Sequence, residues 1–343
     1  MSALHKLTGG SEEDPAEVRE RFALDVLMGL STTPKQIASK YFYDEEGTRL
    51  FEAIMRLPEY YPTECERQIL ASHADRLVTA FGEGPFNLAE LGSGDGLKTK
   101  LLLRALQARN TPFRYLPIDI SGTALEALLA SLDREFPGVD TEGLIGDYFQ
   151  GLRWLTRSHP GRTVVLFLGS NIGNFSRAEA RVFLHSLWNA LNNGDRILIG
   201  FDLKKDIDIM LHAYNDSQGV TRDFNLNLLT RINRELGGDF NVERFRFFST
   251  YDVFGGSMNS YLVSQERQEV FIEAIGQSFE FKPWEPIRTE FSYKYLESDI
   301  KSLAAATNYK VVEQFYDARR YFTSSLWQVC KETPDGRSAG GQR

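Results

Sequence analysis

Apolar side chains recur at helical spacing between residues 15 and 30, with Val18, Phe22, Val26, Leu27 and Leu30 on one side, and predict an amphipathic helix. A second helix is predicted from Glu45, where Leu50, Phe51, Ile54 and Met55 share a face. It must stop near LPEYYP, because neither proline there can continue it. Thr63 followed by Glu66 reads as a capping box that opens a third helix, along which Ile69, Leu70, His73 and Leu77 recur.

From about residue 86 short apolar runs alternate with helical stretches. FNLAEL leads through a glycine loop to LKTKLLLRALQAR; YLPIDI precedes a helix over 121–135; TVVLFLG precedes a helix over 177–192; RILIGFDL follows. That succession predicts a parallel sheet with helices on both faces, a doubly wound α/β unit. The rhythm breaks after about residue 203. Residues 205–235 read as helical, and alternating stretches such as SMNSYLVSQ and QEVFIEAI within 245–295 predict antiparallel hairpins. YKVVEQFYD and YFTSSLWQVC, near 309–330, supply a last strand pair to the main sheet. The pattern divides the chain into a flexible N-terminus (1–14), an α+β unit (15–62 plus 204–295), an α/β unit (63–203 plus 296–331) and a flexible tail (332–343).

At 343 residues the chain exceeds what one hydrophobic core usually fills, in keeping with two units. Its 39 basic and 47 acidic residues leave a net charge of -8, which offers no general attraction to nucleic acid or anionic lipid; neither is expected as a partner. The strongest apolar runs, such as VVLFLG at 164–169, are too short to span a bilayer. The opening MSALHKLTGGSEEDP lacks the apolar core of a secretory leader. Cys65 and Cys330 are the only cysteines, so no disulfide framework can form, and a reducing, cytoplasmic setting is expected. His5, His73, His159, His185 and His212 show no ligand-like spacing, so no metal is expected. Nothing in the sequence demands an oligomer, and a monomer is expected.

The sharpest local chemistry is Glu90-Leu91-Gly92-Ser93-Gly94-Asp95-Gly96, after a predicted strand and before a predicted helix. Glycines there let the backbone turn tightly and approach a ligand, while the following helix presents unpaired N–H groups. A dinucleotide fingerprint would place its third glycine where Leu97 stands. The spacing instead fits the S-adenosylmethionine (SAM) loop of class I methyltransferases. Asp119 ends the second strand, where a carboxylate can accept both hydroxyls of a ribose. Asp147-Tyr148, after a third strand, could hold an adenine amino group and stack beside its ring. The plainer alternatives are a helix N-cap for Asp119 and a turn aspartate for Asp147.

Four blocks, KYFYDEEGTRLFEAIMRLPEYYPTECE, ELGSGDGLKT, FLGSNIGNF and TEFSYKY, together resemble the histidine-specific, SAM-dependent methyltransferases, the family that holds the L-histidine Nα-methyltransferase of ergothioneine biosynthesis. The similarity runs from about residue 20 to 330. It implies an α/β fold, a class I (Rossmann-like) methyltransferase core with an inserted α+β substrate-binding domain. It further implies that Gly92, Lys98, Asp119, Asp147 and Tyr148 contact SAM, with Ser93 and Gly94 of the same loop and Gly169 of FLGSNIGNF. Tyr60, Asn171, Asn174, Tyr214, Ser260, Glu290 and Ser292 would face a free amino acid. Of these, Asn174 and Tyr214 would hold its headgroup, and Tyr60, Glu290 and Ser292 its imidazole. Tyr43 would lie near the reacting nitrogen and the cofactor; Tyr43 and Asn174 are the candidate catalytic residues.

The residue types suit those roles. An amide both donates and accepts, which matches a headgroup carrying one charge of each sign. A carboxylate favours a ring that bears an N–H over a plain aromatic one. Without the resemblance, the tyrosines of LPEYYP read as core, Glu290 and Ser292 as one solvated face of a strand, and Asn174 as a turn residue. Asn171 stands where the family has threonine. Ser260 stands where it has a methionine lining the imidazole pocket, and a smaller side chain there would enlarge that pocket. The expected reaction is methylation of the α-nitrogen of L-histidine, three times, to the betaine hercynine. The alternatives are another aromatic amino acid or a histidine derivative, a non-catalytic SAM-binding module, and a dinucleotide oxidoreductase, which Leu97 disfavours.

Overall fold

The computed structural model describes residues 2–7 and 14–331. The expected flexible tail, 332–343, lies outside the described residues. Ala3–Lys6 form a strand, β1, where the polar opening of the chain predicted a loose segment. ALHK has little pattern of its own; it is ordered by pairing in parallel with the strand Asp140–Ile145. Helices α1 (Pro15–Ser31) and α2 (Glu45–Met55) match the predicted pair, with a two-residue strand, β2 (Lys35–Gln36), between them. Asp44 caps α2 by accepting the Gly47 N–H at 2.7 Å. Helix α3 (Tyr61–Ser72) starts too early for the predicted capping box, so Thr63 falls inside its first turn and no side chain caps it. Glu66 instead points into the protein and is fully buried. A break at His73 separates α3 from α4 (Ala74–Phe81).

The βα alternation then runs as predicted: β3 (Phe86–Leu91), α5 (Thr99–Ala108), β4 (Phe113–Asp119), α6 (Gly122–Glu135), β5 (Asp140–Ile145), α7 (Tyr148–Ser158), β6 (Thr163–Phe167), α8 (Arg177–Ala190) and β7 (Arg196–Asp202). Helices α9 (Ile207–Tyr214) and α10 (Val220–Leu236) follow, then β8 (Phe245–Asp252), β9 (Ser257–Ser264), β10 (Gln268–Ile272), β11 (Gln277–Phe281) and β12 (Pro286–Tyr293). Helix α11 (Glu297–Ala306) and the antiparallel pair β13 (Tyr309–Tyr316) and β14 (Phe322–Val329) close the chain.

Eight strands form the main sheet in the order β1-β5-β4-β3-β6-β7-β14-β13. The first six are parallel, and β14 joins β7 antiparallel. Strands β3 and β6 are buried along their whole length, which is why FNLAEL and TVVLF read as unbroken runs. One hydrophobic cluster, built on Leu88, Leu166 and Leu198, covers one face beneath α3 to α6. Another, built on Ala89, Val165 and Ile197, covers the other beneath α7, α8 and α11. The order of strands reverses at β3, so the carboxyl ends of β3 and β6 open the crevice where doubly wound sheets bind ligands.

Strands β8, β9 and β12, from the segment between β7 and α11, join β2 in a second sheet ordered β2-β12-β9-β8, and the same segment adds the hairpin β10-β11. Its own apolar cluster draws on Phe22, Val26, Phe42, Leu50 and Ile54 from the N-terminal helices and on Leu228, Leu262 and Ile287 from the insertion. The N-terminal helices therefore pack with the insertion. No helix among the described residues is long and apolar enough to cross a membrane.

Candidate active site

The turn after β3 is built from left-handed glycines: Gly92, Gly94 and Gly96 have φ of +74°, +50° and +66°. At Gly92 a side chain would strike the Tyr148 hydroxyl, 3.0 Å from where its Cβ would sit. At Gly94 it would meet nothing within 4 Å. Asp119, at the end of β4, ties this turn to the next element: its carboxylate accepts the Gly94 N–H at 3.2 Å and the Ser121 N–H at 2.9 Å. The N-cap of α6 is Ser121, so Asp119 is not the helix cap of its plainer reading. Asp147 does cap a helix, α7, through a capping box with Gln150, and this turns the Tyr148 ring toward the glycine turn. Burial pushes the Tyr148 hydroxyl up to about 12, with the Asp119 charge adding to it. The Ser93 hydroxyl is buried with no partner among the described residues. An orphaned donor beside open space at Gly94 fits a bound polar ligand such as SAM.

Lys98 follows the turn and donates to Glu66 at 2.5 Å. Glu66 also accepts the Gly169 N–H at 3.0 and 2.9 Å. This buried carboxylate on α3 thus joins Lys98, just past the glycine turn after β3, to the turn after β6. Gly169 (φ +78°) and Ser170 (φ +59°) are both left-handed, and they lead into a short 3₁₀ turn, Asn171–Asn174. The Asn171 amide lies close to Gly169, 3.7 Å from where a Cβ would sit, and Lys98 Nζ at 3.5 Å. Asn174 is exposed at the end of that turn. Its neighbour Gly173 abuts β12 so tightly that a Cβ would fall 2.8 Å from the Tyr293 carbonyl and 3.5 Å from the Ser292 hydroxyl.

Strand β12 brings the second set. A bulge between Arg288 and Glu290 re-aims the strand, after which Glu290 pairs with Ser260 and Ser292 with Met258. Ser260 is fully buried and donates to Glu290 Oε2 at 3.0 Å, which fixes the carboxylate. Burial holds the Glu290 carboxyl above its usual range, although Ser260 and the Lys294 charge pull the other way. Ser292 receives the Tyr214 hydroxyl at 2.9 Å and the Lys294 ammonium at 2.9 Å.

Three tyrosines face this strand. Burial raises the pKa values of Tyr60 and Tyr214, and the Glu290 charge raises both further. Tyr43 is raised by surrounding protein and then by Glu290, Tyr148 and Tyr214. It is also 48% exposed, so water tempers that push. Its ring packs edge-on against Phe51 and Phe224. Tyr43 thus lies within electrostatic reach of both Tyr148, beside the glycine turn, and Glu290, on β12.

Sequence reasoning passed over three groups that hold the site together. Glu66 was read as a helix cap. Asp202, at the end of β7, is fully buried and bonds Tyr61, Lys205 and Lys294. Lys294, two residues beyond Ser292 in TEFSYKY, is almost wholly buried. The alternate spacing of Glu290 and Ser292 on β12 and Lys294 just past its end was the available signal.

The sequence matches, over residues 22–329, the profile of the family described as histidine-specific methyltransferase, SAM-dependent. It is 35% identical to the histidine N-alpha-methyltransferase of Mycolicibacterium smegmatis, over 90% of this chain and 94% of that protein. It is 36% identical to the enzyme of the same name from Mycobacterium tuberculosis, over 88% and 93%. Among solved structures it is similar to the magnesium protoporphyrin IX methyltransferase of Synechocystis PCC 6803, with a TM-score of 0.43 and 12% identity over 85% of this chain and 98% of that one. With the family profile spanning most of its length, the chain belongs to the histidine-specific, SAM-dependent methyltransferases.

Proposed function

We propose that this enzyme methylates the α-nitrogen of L-histidine, in three rounds, to give hercynine for ergothioneine biosynthesis. The observation that carries the reading is the turn after β6: Glu66 ties it to Lys98 beside the glycine turn, and Gly173 abuts Tyr293 and Ser292, so a turn suited to SAM meets a strand offering a carboxylate and a hydroxyl to a heteroaromatic ring. Two relatives named for this activity, similar over most of both chains, support it.

In this reading the 63–203 plus 296–331 unit holds SAM through Gly92, Ser93, Gly94, Lys98, Asp119, Asp147, Tyr148 and Gly169. SAM supplies an electrophilic methyl group carried on a sulfonium. The 15–62 plus 204–295 unit holds the amino acid, and its separate apolar cluster supports that division. Asn171, Asn174 and Tyr214 take the headgroup; Tyr60, Glu290 and Ser292 take the ring, with Ser260 behind Glu290. Methyl transfer is an in-line displacement, so these residues mainly position the amine and exclude water. The amine attacks only when unprotonated. Tyr43, Tyr60 and Tyr214, their pKa values all raised, stay protonated and act as hydrogen-bonding groups, not bases. A single chain in a reducing cytoplasm, working without a metal, belongs to the same proposal; activity in a chelator and size-exclusion chromatography test it.

Incubating the enzyme with SAM and each free amino acid, with mass-spectrometric detection, tests the substrate. Histidine is expected to gain up to three methyl groups on its α-nitrogen. Methylation of a different aromatic amino acid or of a histidine derivative, with histidine untouched, would overturn the assignment.

A further inference from the structure

Lys294 is 1% exposed, and each of its three ammonium protons has a partner: Asp202 Oδ2 at 2.7 Å, Tyr214 Oη at 2.8 Å and Ser292 Oγ at 2.9 Å. Asp202 is equally buried and also accepts from Lys205 at 2.5 Å and from the Tyr61 hydroxyl at 2.9 Å. Two buried ammonium groups thus share one carboxylate, and Lys294 is the one that faces the ring-binding strand. A buried cation is costly to desolvate, so its placement against two hydroxyls needs a reason beyond stability.

Counting protons supplies one. An ammonium can only donate, so Lys294 occupies a lone pair on both hydroxyl oxygens. Tyr214 spends its own proton on Ser292 at 2.9 Å. Ser292 Oγ then accepts twice, which fills both its lone pairs. The Ser292 proton is left as the pair's single outward donor, with no acceptor among the described residues. Two residues along the same strand, Glu290 has Oε2 engaged by Ser260 and Oε1 able to accept.

We propose that Lys294 is a positioning residue that, through Tyr214, makes Ser292 an obligate donor, so that the enzyme selects a ring presenting a bare nitrogen to Ser292 and an N–H to Glu290. That is the neutral imidazole, in one tautomer. An indole has no bare nitrogen, and an imidazolium presents an N–H to each residue, which Ser292 cannot accept. The inference rests on the assignment of Ser292 and Glu290 to the substrate ring.

Lys294→Met tests it, because Asp202 keeps Lys205 and Tyr61 when the ammonium is removed. Loss of the relay is worth about one charged hydrogen bond, so histidine KM is expected to rise about tenfold, with kcat and SAM affinity held within about twofold. In a Ser292→Ala background the same substitution is expected to change KM by less than about twofold, since the group it acts through is gone. An equal rise in both backgrounds, or no rise in either, overturns the relay. Should Lys294→Met not fold, Lys294→Gln replaces it in the same cycle with the same two outcomes, because its amide oxygen can take a hydroxyl proton that an ammonium cannot. A wild-type enzyme that leaves histidine unmethylated overturns the substrate reading instead, and that control is run first.

Discussion

Replacing Glu290 with glutamine keeps the side chain's shape and removes its charge. Because Ser260 donates to Oε2 at 3.0 Å, the amide will turn its carbonyl to Ser260 and its NH2 into the cleft. A charge-assisted hydrogen bond to the substrate ring is lost, and two donors then face each other. Hydrogen bonds to charged groups contribute about 1.5–3 kcal/mol, and each 1.4 kcal/mol is a factor of about ten, so histidine KM is expected to rise about 10- to 100-fold. SAM affinity, set across the cleft, should stay within about twofold. Stability should move the other way. Burial favours the neutral Glu290 carboxyl, outweighing Ser260 and Lys294. A raised folded pKa means that stability is full below the ordinary carboxylate range and is lost as pH rises through the raised value. Glutamine cannot ionise, so the apo variant should melt above wild type near pH ~8 and alongside it near pH ~4. Initial rates at saturating SAM, calorimetric SAM titration and melting at the two pH values measure all three. Wild-type use of histidine, or equal losses of histidine and SAM, would refute the role given to Glu290; a lower melting temperature near pH ~8 would refute the electrostatic argument.

Gly92→Ala forces a non-glycine residue into φ +74° with its Cβ 3.0 Å from the Tyr148 hydroxyl. It should cost about 1–2 kcal/mol of stability and weaken SAM binding; an unchanged SAM dissociation constant would remove the turn from the cofactor site. Burial lifts Glu90 to about 7 against the hydrogen bonds of Thr99 and Tyr115, so wild-type stability should fall as pH rises through that value. Glu90→Gln should flatten this fall in a melting series, and an unaltered slope would contradict it. Burial pushes the Cys65 thiol up to about 11, whereas Cys330 is exposed. Iodoacetamide should therefore label Cys330 and spare Cys65 in the folded enzyme, as peptide mass spectrometry would show; equal labelling would count against the packing of α3.

The central sheet was legible because β3 and β6 are buried throughout, and apolar runs of strand length between helical stretches have few other solutions. β1 was not, since Ala3–Lys6 owes its order to the edge of β5 and carries no periodic signal. Thr63 and Glu66 had the right spacing for a capping box, but the start of α3 at Tyr61 turned Glu66 inward, where Lys98 and Gly169 satisfy it. Local pattern could not foresee those partners, which come from distant segments. Glu290 and Ser292 were singled out through the family resemblance and their alternation. Lys294 escaped because lysine on a strand reads as solvent-facing; only the buried Asp202 at the end of β7 explains its position. Ser260 was read by size alone, and its hydroxyl proved the more informative feature.

A crystal structure with L-histidine and demethylated SAM bound would measure the central proposition directly. The ring should sit between Glu290 and Ser292, the α-amino group should lie beside Asn174 and point toward the cofactor's sulfur, and Tyr43 should border both ligands. Histidine bound away from β12, or with its α-nitrogen turned from the sulfur, would contradict it.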